Sequence, residues 1–493
     1  MAPASANARE SLDSLLDRGS FRSWDTAPAE VAADPAYTAD PAYAADLAAA
    51  RARTGLDESV VTGAGRIGGH RVAVAASEFG FLGGSIGVAA GERLTRAVER
   101  ATAERLPLIA LPASGGTRMQ EGTLAFLQMV KITAAVTAHQ AAGLPYLVYL
   151  RHPATGGVLA SWASLGHLTL AEPGALIGFL GPRVYEALAG EPFPAGVQTA
   201  ENLAAHGLID QVLAPGELGE LVRRVLDALT PAPVPVPPAA AAAKGAGPES
   251  SDAWTAVLRT RQPDYPGARD LITAAATEVV PVRTGSVILA LARIGGFPVV
   301  LVAQDRDAPA PGPDALRVAR RGLRLAAGLG LPLVTVIDTP GGELSVPAEE
   351  GGLAEQIAHC LAELLVLPVP TVSVLLGQGT GGAALALLPA DRTVAAADAW
   401  LAPLAPEGAS AIVFRDPGHA ADLARRQNIR AADLAAAGVV DEVITGTGEP
   451  PGRLARDLGQ AVHRALAELT RQNSERRLAA RTSRCRRLEQ WRR

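Results

Sequence analysis

The sequence predicts an α/β fold, and predicts it twice. Short apolar runs alternate with Ala- and Leu-rich helical stretches, the pattern of strands joined by crossover helices. Four segments then recur in the same order at nearly one spacing. "GRIGGHRVAVAAS" (65–77) matches "ARIGGFPVVLVAQ" (292–304), and "RLPLIALPASGG" (105–116) resembles "GLPLVTVIDTPGG" (330–342). "LPYLVYLRHPATGGVLA" (144–160) falls on "VPTVSVLLGQGTGGAALA" (369–386), and "HGLIDQVL" (206–213) resembles "AGVVDEVI" (437–444). Shared composition explains any one match but not the ordered series, so the chain reads as an internal duplication of a whole domain.

Taken in order, the first half runs from residue 1 to 230 and the second from 251 to 493. Between them "PAPVPVPPAAAAAKGAGPES" (231–250) is a linker, because Pro-rich sequence favours extended backbone and offers little to a core. Within the first half, 91–105 and 119–142 are the expected helices. "GFLGGSIGVAAGERL" (80–94) is glycine-rich and opens a helix, which suits phosphate, but lacks the Lys-Ser/Thr of a P-loop. The C-terminal "RRLAARTSRCRRLEQWRR" (476–493) is expected as a solvated basic helix face.

Bulk properties narrow the function. The 493 residues suggest about two to four domains. Hydrophobic residues make up 48% and aromatics 4%, so Ala, Val and Leu must build the interior. The net charge of -5 argues against a general nucleic-acid binder. Cys360 and Cys485 make neither a disulfide framework nor a four-thiolate zinc site. They fit a reducing compartment, and with no apolar leader and no run of about 18 apolar residues the expected location is cytoplasmic, off the membrane.

The repeated Thr-Gly-Gly carries the chemistry. A strand that ends in Gly-Gly and feeds a helix exposes backbone N–H groups, with the dipole adding partial positive charge. This suits a developing negative oxygen such as an enolate. The candidate catalytic residues are Gly156 and Gly157 in the first half and Gly381 and Gly382 in the second. "ASGGTR" (113–118) and "TPGGEL" (339–344) end the preceding strands and bring further N–H groups. Gly115, Gly116 and Arg118, with Gly83 and Gly84, are the candidate substrate-binding residues. His152 and Ser114 sit nearby without triad partners. Glu121 and Glu172 are possible bases, although such residues more often cap helices or face water, and Asp338 reads as a turn residue.

These segments resemble a known family. "GFLGGSIGVAAGERL", "LPASGGTRMQEGTLAFLQM" and "HPATGGVLASWASLGHLTLAEPGALIGFLGPRV" resemble the β subunit of the bacterial acetyl-CoA carboxylase carboxyltransferase. "LPLVTVIDTPGG", "AEEGGLAEQIA", "GQGTGGAALAL" and "LAPLAPEGASAIVFRD" are similar to its α subunit. The resemblance covers most of residues 60–445 and implies a fused β–α carboxyltransferase with one crotonase-like (ClpP/crotonase) domain per half. It implies carboxyl transfer from carboxybiotin to acetyl-CoA, giving malonyl-CoA, or to a related short acyl-CoA. Gly156 and Gly157 would then hold the thioester enolate, and Gly381 and Gly382 the biotin ureido oxygen. It also implies a homodimer or larger homo-oligomer, with sites facing each other across a dimer interface.

Several features depart from the family. Residues 1–60 contain no cysteine, so the family's zinc ribbon and its metal are not expected. Gly351 stands where the family usually has arginine, and "TPGGELSVP" differs from the usual "TPGAYPG". The only lysines, Lys131 and Lys244, lie in no Met-Lys-Met setting, and no ATP-grasp segment is present. Biotin must therefore arrive on a biotin carboxyl carrier protein, charged by a biotin carboxylase on another chain. An acyl-CoA decarboxylase, biotin-dependent or not, and a non-catalytic assembly subunit remain as alternative readings.

Overall fold

The computed structural model describes residues 6–26, 40–238, 252–445 and 452–486. The chain divides into two compact units, Met1–Leu226 and Asp227–Arg493. Of the expected linker, residues 231–238 carry no helix or strand, and 239–250 lie outside the described residues.

The first unit is organised by a seven-stranded sheet. Its strands are β1 (Arg22–Ser23), β2 (Val60–Ile67), β3 (His70–Ser77), β4 (Leu108–Leu111) and β5 (Tyr146–Leu150), then, past the short β6 (Ala154–Thr155), β7 (Leu168–Ala171). Past the short β8 (Ile177–Gly178), β9 (Gln211–Val212) closes the order β1-β2-β3-β4-β5-β7-β9. β1, β2 and β3 pair antiparallel with one another; from the β3–β4 pairing onward the neighbours are parallel. β4 and β5 are buried at every residue, as central parallel strands covered on both faces must be. β6 and β8 pair separately beside the glycine corner described below.

The second unit repeats the plan. Its strands are β10 (Ala276–Arg283), β11 (Val287–Ile294), β12 (Phe297–Gln304), β13 (Leu333–Thr339), β14 (Thr371–Thr380), β15 (Arg392–Ala396), β16 (Trp400–Ala402) and β17 (Glu442–Ile444). They order as β10-β11-β12-β13-β14-β15-β17, with β16 on the far end of β14. The duplication is visible at the level of register. β2 pairs Val60 with Ser77 of β3, and β11 pairs Val287 with Gln304 of β12, both at an offset of 227. The hairpin glycines repeat their backbone too: φ is 55° and 84° at Gly68 and Gly69, 56° and 81° at Gly295 and Gly296.

The expected helices form with shifted ends. The helix expected at 91–105 spans Val88–Ala103, burying Ala90, Leu94, Val98 and Ala101 along one stripe. It starts earlier because the Glu121 carboxylate accepts from Val88 N at 2.5 Å, and it stops where Arg105 turns left-handed. The helix expected at 119–142 spans Gly122–Ala141. One expectation holds only in part. The C-terminal helix Ser474–Arg486 leaves Arg476 and Arg486 exposed, but Arg477 and Arg481 are buried. Arg481 donates to the carbonyls of Leu364 and Leu367 at 2.6 and 2.9 Å, where the helix Leu353–Val366 ends and its last carbonyls lack intrahelical donors. Residues 487–493 of that segment lie outside the described residues.

Candidate functional site

In the first unit, three glycine-bearing loops close on one another. The Ser114 hydroxyl accepts from Gly116 N at 3.0 Å, which curls the loop after β4. Ser114 N donates to the Pro153 carbonyl at 2.7 Å, and Thr155 N donates back to the Ser114 carbonyl at 2.9 Å. Gly115 N donates to the Gly83 carbonyl at 2.9 Å. Gly84 must be glycine here, because a Cβ would sit 2.1 Å from the Ala113 carbonyl oxygen. The structure thus brings Gly83, Gly84, Gly115, Gly116, Gly156 and Gly157 together.

The donor inventory is narrower than the sequence suggests. Gly156, at φ 64°, begins the helix Gly156–Leu159, but its N–H is already spent on the Phe179 carbonyl at 2.9 Å. Gly157 follows as the second helical residue, where no intrahelical acceptor exists. Among the described residues its amide meets no acceptor. Gly116 keeps a side chain off this amide: a Cβ there would lie 3.2 Å from Gly157 N. A helix of four residues adds little dipole, so the bare amide is the chemical feature.

The second unit builds the same corner. The Thr339 hydroxyl accepts from Gly341 N at 3.2 Å, as Ser114 does for Gly116. Gly341 and Gly381 have φ of 139° and 66°, against 112° and 64° at Gly116 and Gly156, each pair offset by 225. Gly382 N meets no acceptor among the described residues. The Thr380 hydroxyl beside it is buried and without a partner among the described residues.

Arg118 is placed differently from its expected role. It is 1% exposed and donates to Glu58, Glu121, Ser59, Tyr43 and Ser85. Its guanidinium braces the interior rather than facing a ligand. Glu121 caps a helix, as carboxylates commonly do, and accepts from Tyr43 at 2.5 Å. Glu172 accepts from His152 N at 3.0 Å, and His152 Nδ1 accepts from Leu176 N at 3.1 Å, so both steady the Pro153 segment. Glu58 and Tyr43, which complete the buried network, carry no motif that sequence alone would single out.

Asp338 is not a surface turn residue but a wholly buried one at the end of β13. Its Oδ1 accepts from Gln378 N at 3.0 Å, where β14 bulges before Thr380. Among the described residues its Oδ2 has no hydrogen bond; Arg306 Nε at 3.6 Å is a charge neighbour beyond bonding distance. Burial pushes the carboxyl up to about 6, opposed by Arg306 and the Gln378 bond and aided by Asp307 and Asp305. A raised carboxyl favours the fold fully below its ordinary 3.8 and loses that contribution as pH rises through about 6. Asp338→Asn is therefore expected to melt higher than the parent at pH 8, by up to about 3 kcal/mol, with the advantage gone at pH 4. A less stable variant at pH 8 would show instead that the ionised form supports the fold.

The fold and its paired amide corners define an α/β scaffold suited to holding developing oxyanions. The chain belongs to the carboxyl transferase domain family, which matches residues 4–450. It is 58% identical over 487 residues to the probable biotin-dependent acyl-coenzyme A carboxylase beta3 subunit of Mycobacterium tuberculosis, covering 96% of this chain and 97% of that one. It is 39% identical to the acetyl-coenzyme A carboxylase carboxyl transferase subunits beta/alpha of Salinispora arenicola, over 89% and 82% of the two chains. Among solved structures, transcarboxylase 12S with methylmalonyl-coenzyme A bound aligns with a TM-score of 0.71 at 24% identity, over 95% of this chain and 91% of that one. That likeness is one of fold: two crotonase-like domains, as the resemblance implies.

Proposed function

We propose that the chain is the carboxyltransferase component of a biotin-dependent acyl-CoA carboxylase, acting on acetyl-CoA or a related short acyl-CoA. The observation that carries this reading is the Gly157 amide, unpaired among the described residues and kept clear by the side-chain-free Gly116, with a matching amide at Gly382. The thioester oxygen gains charge as the α-carbon becomes nucleophilic, and Gly157 N–H is aimed to stabilise it. At the second corner Gly382 N–H and the unpartnered Thr380 hydroxyl suit a ureido oxygen. Carboxybiotin, when bound, supplies the carboxyl group. With lysine only at 131 and 244, the reading requires a separate biotin carboxyl carrier protein and biotin carboxylase. It places the enzyme in the cytoplasm, in domains of 1–230 and 251–493 joined by 231–250.

A homodimer or larger assembly belongs to the same reading. The helix Gly122–Ala141 buries Ala125, Met129, Ile132 and Val136 on one side yet exposes Phe126, Leu127 and Val130 on the other. A helix apolar on both sides is suited to burial on both. Incubating the purified chain with malonyl-CoA and biocytin tests the function: carboxyl transfer to biocytin is expected, from a species sedimenting as a dimer or larger. Malonyl-CoA loss without carboxybiocytin would favour a decarboxylase, and no turnover an assembly subunit.

A further inference from the structure

The second unit contains a polar cavity of about 150 Å³ whose lining includes none of the glycine-corner residues. It lies where the C-terminal helix Ser474–Arg486 meets the start of β15 and the turn before β17, and Arg392, Arg477, Arg481 and Arg484 line it with Asp391 and Asp441. The arginines outnumber their counter-charges. Arg481 holds Asp391 through Nε and Nη2 at 2.9 and 2.8 Å. Thr371 donates to the same carboxylate from its N–H and hydroxyl, at 2.8 and 3.1 Å. Arg484 pairs with Asp441 at 2.6 Å, and Arg392 with Glu468 at 2.5 Å. Four guanidinium groups thus meet three carboxylates.

Arg477 shares Asp391 with Arg481 and, among the described residues, has no carboxylate of its own; its Nη1 and Nη2 donate to the Gln472 and Pro368 carbonyls. It is 5% exposed, and among the described residues its Nε makes no hydrogen bond, although Asp391 Oδ2 is 3.3 Å away. That oxygen already accepts from Thr371 N, the Thr371 hydroxyl and Arg481. Burial pulls the Arg477 guanidinium below its ordinary value; Asp391 opposes this and Arg481 adds to it. Two buried cations that share one carboxylate, beside a polar cavity lined by more arginines, leave the cluster short of negative charge.

We propose that this cavity is a binding site for an oxyanion of phosphate size, separate from the carboxyl-transfer site. Guanidinium forks match tetrahedral oxyanions through paired N–H donors, and partial burial protects such contacts from salt. The shared chemistry is a dianionic phosphate, either the free ion or the terminal phosphomonoester of a larger molecule. Binding to the folded chain alone raises its melting temperature.

The test compares thermal melts of the full chain in inorganic phosphate, in AMP and in sodium chloride of equal ionic strength. Phosphate is expected to raise Tm by several degrees beyond chloride. A matching response to AMP identifies a phosphomonoester site, and phosphate alone a site for the free ion. Arg477→Gln should lose the response. Ala480→Glu is the second variant, since Ala480 is exposed and lines the cavity; its carboxylate should raise Tm without phosphate and abolish the phosphate effect. No phosphate-specific stabilisation, or an undiminished one in Ala480→Glu, would overturn the site.

Discussion

Gly157→Val leaves the backbone N–H in place but blocks approach to it, and is expected to lower carboxyl transfer by on the order of 10²–10³, the usual loss when one oxyanion donor goes unused. The backbone tolerates the change better than most glycines here, because Gly157 does not carry a positive φ. A Cβ would meet the Thr117 hydroxyl at 3.1 Å and Met129 Cγ at 3.4 Å, both side-chain atoms. The branched methyls then crowd the amide and the thioester that must approach it. Gly116→Ala attacks the same amide from the other side, setting a methyl 3.2 Å from Gly157 N, though at a strained φ of 112°. Gly382→Val presses on Ile357 Cδ1 at 2.8 Å, a flexible side-chain end, and is expected to spare acyl-CoA binding while losing transfer. Each variant is first checked for a cooperative melt, and acyl-CoA binding is measured alongside transfer. Full activity in folded Gly157→Val and Gly382→Val would make the corners ordinary turns.

The sequence made the duplication and the glycine corners legible because both depend on backbone geometry that only particular residues permit. Gly156 and Gly381 are recognisable as a pair since a left-handed residue must open each short helix. What stayed hidden depends on three-dimensional neighbours. That Gly156 N–H is consumed by Phe179, leaving Gly157 as the free donor, follows from the β6–β8 pairing and not from either motif. Arg118 follows "SGGT" in sequence, so it reads as a ligand contact, yet Glu58, sixty positions away in the chain, draws it inward. Asp338 looks like turn punctuation because its burial is created by β12 and β14 on either side. The arginines of the C-terminal helix look solvated because helix 353–366, whose end they cap, is remote in sequence.

Arg118→Met is expected to cost about 3–5 kcal/mol of stability, the range for breaking a buried ion pair from one side. Nη1 reaches Glu58 Oε2 at 3.0 Å and Glu121 Oε1 at 3.3 Å, and Nη2 also binds Glu58 and the Ser85 carbonyl at 2.8 Å. Glu58, Glu121 and Arg118 are all buried, so methionine fills the volume but bares two carboxylates. Ionised carboxylates without a counter-charge resist burial, and protonation relieves them. Glu58→Gln added to Arg118→Met should therefore recover part of the loss, because it removes one of the bared charges. The braced Ser85 lies between Gly84 and Ile86, whose N–H holds the Gly116 carbonyl at 2.9 Å. Loosening it should lower kcat in the folded fraction by misplacing the amide corner. Urea unfolding, with steady-state kinetics, separates this from direct ligand contact. An unchanged unfolding midpoint with a raised KM for acyl-CoA would return Arg118 to the substrate.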